Sequence, residues 1–200
     1  MKPAKIYFKK TLGLFEARHD EIARRANRFQ EVLTNLNYEG KPRLGKNLKE
    51  ARALLNGLKK SLSAQFAVEE KAIFPFLGKH IPKLNCALDL LQAEHEELKT
   101  QLEIFENRLG VFPKRQKGSQ ERLKAAPRIK ESGTYLVYCL RNHLRAEKGL
   151  IFKCLGRELK KEEKRKLARL ITEVFERHSD LTGTFAYEKK TGQGNHRKAA

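Results

Sequence analysis

The sequence predicts an all-α fold: an antiparallel up-and-down four-helix bundle with an additional short C-terminal helix. Three observations lead there. Apolar residues recur at mixed steps of three, four and seven along successive stretches, which is the spacing of a helix with one buried face. Segments rich in Gly, Pro and Asn separate those stretches. The second and fourth stretches carry similar motifs, as do the first and third, so one helical hairpin is used twice. With 200 residues, 40% of them hydrophobic, the chain can bury one sizeable core and is too short for a second full domain. A single domain is expected over residues 1–180, with a flexible polar tail over 181–200.

The first helix is read over residues 12–36, where Leu14, Phe15, Ile22, Phe29, Val32, Leu33 and Leu36 line one face. Residues 37–45, with Asn37, Gly40, Pro42 and Gly45, close it, and Asn47 is the expected cap of a second helix that runs to Leu77 and bends near Pro75. That helix presents Leu54, Leu55, Leu58, Leu62, Phe66, Ile73 and Leu77. A third runs from Leu84 to Leu109 through Leu88, Leu91, His95, Leu98, Leu102 and Phe105, and Gly110 ends it. Residues 110–127 read as a long crossing loop. The fourth helix spans about 128–155 and Gly156 suits its C-terminal cap. The last, about 158–178, aligns Leu167, Leu170, Ile171, Val174 and Phe175, a stripe that packs on the bundle or, as a weaker alternative, lies on a membrane surface.

No apolar stretch reaches the roughly 18 residues of a membrane span. Residues 1–10 lack the apolar middle of a signal peptide, so the expected location is the cytoplasm. Cys86, Cys139 and Cys154 are odd in number and widely spaced, without a CxxC pair, which argues against a disulfide framework or a cysteine zinc site. The formal net charge of +19 attracts polyanions or acidic partners whatever the fold, but no nucleic-acid module signature accompanies it.

The chemistry lies in the repeat. Gln65, Glu69, Ile73 and Phe74 of the second helix match His143, Glu147, Ile151 and Phe152 of the fourth. His19-Asp-Glu-Ile and His95-Glu-Glu-Leu stand 46 residues before Gln65 and 48 before His143. Residues four apart on a helix lie about 6 Å apart along the axis on one face, so His143 and Glu147 can aim at a common centre. Glu69 matches Glu147, and one histidine from each remaining helix completes a set converging from four sides. Imidazole with carboxylate and no thiolate suits Fe or Mn better than structural zinc, and bundle cores host dimetal carboxylate sites of this kind.

His19, then Gln65 with Glu69-Glu70 and Ile-Phe-Pro, then Glu94-His95, then His143 with Glu147 and Ile-Phe: this pattern, over about residues 10–156, resembles the hemerythrin-like (HHE cation-binding) domain family. The resemblance implies a non-haem di-iron centre that interacts with dioxygen or nitric oxide, or that senses or stores iron. It places His19, Glu69, His95, His143 and Glu147 on ligand positions, with the two glutamates as bridges. Gln65 stands where the family has a histidine, and an amide oxygen is a weaker donor than imidazole. A weaker di-iron site, a single metal and a metal-free bundle all follow from that change.

The blander readings are concrete. Each histidine alone reads as a satisfied core residue, and Glu69 and Glu147 read as salt-bridge partners of Lys71, Arg145 or Lys148. Glu70 and Glu94 read as supporting or solvated groups. Cys139, one turn before His143, offers a thiolate, and Tyr135 or Tyr138 a phenol to replace the missing imidazole; His80 reads as a surface residue. The joint placement favours a metal-binding protein whose ligand is a small diatomic molecule or peroxide, with no need for turnover. The rival is a metal-free bundle that uses its basic surface to bind nucleic acid or an acidic partner.

Overall fold

The computed structural model describes residues 3–36, 41–112 and 119–182. Helix α1 (Pro3–Asn35) is followed by α2 (Lys41–Val68), which passes through a π-helical turn (Glu69–Ile73) into α3 (Phe74–His80). A short 3-10 turn (Pro82–Leu84) leads into α4 (Asn85–Gly110). Helix α5 (Ser119–Glu147) passes through a second π turn (Lys148–Phe152) into α6 (Lys153–Arg157), and α7 (Lys161–Thr182) closes the described chain. The helical rods α1, α2–α3, α4 and α5–α6 form the bundle, α1 packing on α2 and α5, and α4 on α5 and α2.

Several boundaries differ from the sequence reading. Asn47 is no cap: α2 begins at Lys41, and Asn47 is buried within the helix. The long loop read over 110–127 is largely helix, because α5 starts at Ser119 and holds Pro127 in its interior. A proline there costs a helix about 3 kcal/mol. Ala126 and Ile129 flank it fully buried in the bundle core, and tertiary packing of this kind outweighs a local penalty. Leu14, read as part of the apolar face of α1, faces solvent. Residues 181 and 182 belong to α7, and the rest of the tail, 183–200, lies outside the described residues.

Two apolar clusters make up the core. One is built from Ile22, Phe29 and Leu33 on α1, Leu55 to Phe66 on α2, Leu98 to Leu109 on α4, and Ile129 to Leu144 on α5. The other gathers Phe15, Val68, Ile73, Leu77, Leu88, Leu91, Ile151 and Leu155 with Leu167, Ala168 and Ile171 of α7. Helix α7 therefore completes the second cluster by packing on α1, on α2 and on the first π turn. The stripe seen in its sequence is spent on the bundle, although Leu170 stays exposed. The backbone amide of Lys160 donates to the Glu163 carboxylate at 2.6 Å, satisfying an amide at the start of α7. His80 is half-buried rather than superficial: it stacks on Phe76 and lies 3.3 Å from Glu163, tying α3 to α7. Among the described residues no helix is long and apolar enough to cross a membrane.

Gly133 marks a close approach between helices. A Cβ placed on it meets Leu33 and Phe105 side-chain carbons at 2.7 Å, inside van der Waals contact. Gly133→Ala is expected to destabilise the protein by about 1–3 kcal/mol through overpacking, despite the roughly 1 kcal/mol that Ala gains over Gly in a helix. Gly13→Ala, on the exposed side of α1 with nothing within 4 Å, should instead stabilise by about 0.5–1 kcal/mol. Urea unfolding midpoints of the two variants should move in opposite directions.

Candidate metal centre

Between the two apolar clusters lies a polar layer. His19 from α1, Gln65 from α2, Glu69 at the start of the first π turn, His95 from α4, and His143 and Glu147 from α5 are all at most 4% exposed. Each sits on its helix where one cluster gives way to the other, as His95 does between Leu91 and Leu98. One ring nitrogen each of His95 and His143 and one carboxylate oxygen of Glu69 lie within 4.8 Å of one another. Glu147 Oε2 is 3.3 Å from His19 Nε2 and 3.9 Å from His143 Nε2. All five residues selected from the sequence, and Gln65, are thus brought together.

Two carboxylates outside the layer orient its imidazoles. His95 Nδ1 is 2.9 Å from Glu70 Oε1, and His143 Nδ1 is 2.8 Å from Glu94 Oε2. A carboxylate only accepts, so each Nδ1 carries the donated proton and each Nε2 turns a lone pair inward. Lys99 braces Glu70 at 3.2 Å. Burial works against the charge on Glu70, but the bonds from His95 and Lys99 outweigh it and hold its carboxyl below the usual range. Aromatic rings fix the remaining faces: Phe66 stacks on His95 with centroids 3.8 Å apart, and Phe152 meets His19 edge-on at 5.4 Å.

The inward-facing atoms have no partners. His19 Nε2, Gln65 Oε1, Glu69 Oε2, His95 Nε2, His143 Nε2 and both oxygens of Glu147 are buried without a hydrogen bond. His95 Nε2 and Glu69 Oε2 are only 2.9 Å apart, with no hydrogen bond between them. An unsatisfied buried polar atom costs about 1–3 kcal/mol, so seven reach the order of 10 kcal/mol. That is comparable with the whole net stability of a domain, about 5–15 kcal/mol. A cation complements such a cluster of acceptor atoms, and a donor set of three imidazoles, two carboxylates and an amide oxygen fits a first-row metal of the Fe or Mn kind. With protein atoms alone, burial and the adjacent Glu147 charge push the Glu69 carboxyl well above its ordinary range. Burial and the neighbouring His143 push His95 down to about 4.

The other sequence candidates fall away from the layer. Tyr135 and Tyr138 are largely exposed on the outer side of α5. Cys139 is half-buried and hydrogen-bonded to Tyr135, and burial pushes its thiol up, which disfavours a thiolate ligand. Lys148 pairs with Asp20 at 3.6 Å rather than with Glu147. Sequence reasoning did not anticipate the π turns. Glu69 opens one and Glu147 directly precedes the other, at equivalent places in the repeat. Pro75 is not their common cause, since Lys153 occupies the equivalent place after the second; π turns of this kind collect at functional sites.

A family model described as the hemerythrin HHE cation-binding domain matches residues 11–155. The chain belongs to this family. No curated protein matches it. The hemerythrin match ends before α7, so the helix that completes the second apolar cluster lies outside the matched residues.

Glu147→Gln should raise the stability of the metal-free hemerythrin domain by about 1–3 kcal/mol, because it removes a buried charge beside Glu69 and supplies a donor. In the metal-loaded protein the same change should lower stability. Denaturant unfolding of both forms checks the reversal of sign; an unchanged metal-free midpoint would mean the carboxylates are already satisfied.

Proposed function

We propose that the chain is a non-haem iron protein in which His19, Glu69, His95, His143 and Glu147 are metal ligands, with Glu69 and Glu147 between two metal positions. The observation that carries this reading is the set of seven unpartnered buried atoms, which fall on the ligand positions that the family resemblance implies. Nitrogen and oxygen donors without thiolate favour iron over structural zinc. A bound iron pair supplies redox chemistry and an open position for dioxygen, nitric oxide or peroxide, or a place where iron is sensed or stored. The protein's part is to aim the donors and keep the pocket dry. Glu70 and Glu94 hold two imidazoles in their inward-facing tautomer. Phe66 and Phe74 stack on His95, and half-buried Phe152 covers His19.

His143→Ala should remove most of the iron from protein expressed with added iron, as counted by elemental analysis. Glu94→Ala should leave the ligands in place but weaken iron binding about 10- to 100-fold. Full iron content in His143→Ala would overturn the assignment.

A further inference from the structure

We infer that the two metal positions of the centre are unequal in strength and in preference, and that Gln65 is the residue that makes them so. This rests on the iron-binding reading above. On one side, Glu69, His95 and His143 bring a carboxylate and two imidazoles within 4.8 Å of one another, a set with two nitrogen donors. On the other side, His19 Nε2 lies 3.3 Å from Glu147 Oε2, and His19 is the single imidazole. Glu69 turns its Oε2 to His95 at 2.9 Å and its Oε1 to Gln65, so Gln65 stands at the far oxygen of that carboxylate from His95.

The geometry gives Gln65 a defined role. Its Nε2 donates to Glu69 Oε1 at 2.5 Å. The amide is thus turned with its NH2 toward Glu69. Its Oε1 is left buried and unpartnered, in a residue 1% exposed. An amide that had merely filled the place of a lost ligand would be expected to satisfy both ends, whereas this one is anchored by its donor and leaves its acceptor bare. The second position therefore offers one imidazole nitrogen against oxygens from Gln65, Glu147 and Glu69. Oxygen donors suit Mn²⁺ and other hard divalent cations, and imidazole suits iron. The first position takes Fe²⁺ tightly; the second takes its cation weakly, exchanges it readily, and discriminates little between Fe²⁺ and Mn²⁺.

Metal-stripped full-length protein, loaded anaerobically with Fe²⁺, Mn²⁺ or an equimolar mixture and then desalted, tests this by metal counts per chain. The wild type should keep one iron through desalting, with the second equivalent at least about tenfold weaker and, from the mixture, richer in Mn²⁺ than the first. Gln65→His should retain two irons and lose the Mn²⁺ enrichment, while Gln65→Leu, with the fold checked by circular dichroism, should hold only the first metal. Two equally tight irons in the wild type, or a second metal held as well by Gln65→Leu as by the wild type, would overturn the inference while leaving iron binding intact. Absence of metal from all three proteins would overturn the iron reading and the inference together.

Discussion

Everything else in the molecule is arranged around one constraint: six buried polar side chains face one another across the middle of an apolar bundle. Nδ1 of His95 and of His143 and the amide NH2 of Gln65 are engaged by Glu70, Glu94 and Glu69, which leaves those three residues' acceptor atoms facing the layer. Lone pairs cannot satisfy one another. The layer therefore asks for a cation, and the apolar clusters on either side keep water from taking its place.

That demand shapes the backbone and the extra helix. Helix α2 is buried on every side where it carries the site, from Gln65 through Glu69. Burial all round is unusual for a helix of a four-helix bundle, which normally keeps one face in water. Here α7 covers the outer face by packing on α2 and on the first π turn. The π turns occur where each glutamate leaves the layer and the chain returns to apolar packing at Ile73 and Ile151. Arg18 reaches over the Phe175 ring at 4.0 Å, fastening α7 to α1 one residue from His19.

The fold was legible because apolar spacing survives in every helix, and the ligand candidates were legible because the same motif occurs twice. His19 and His95 gained meaning only through that repeat. What was hidden depends on tertiary context. Pro127 reads as a breaker until Ala126 and Ile129 are seen buried beside it. Asn47 reads as a cap because its side chain favours helix starts, yet α2 already begins six residues earlier. Glu70 and Glu94 could be named as supporting groups but not paired with His95 and His143, since contacts across 25 and 49 residues leave no periodic trace. The π turns change hydrogen bonding without changing which residue types are used. The net charge of +19 was equally plain in the sequence, and the polar layer owes nothing to it.

The central claim is that the polar layer is a cage completed by a cation. The most direct test is the melting temperature of one preparation measured as purified from iron-supplemented cells, after chelation, and after iron is restored. A cage predicts a fall of many degrees on chelation and recovery with iron, because a ligand bound only by the native state stabilises it by mass action. A melting temperature indifferent to both treatments would contradict the claim.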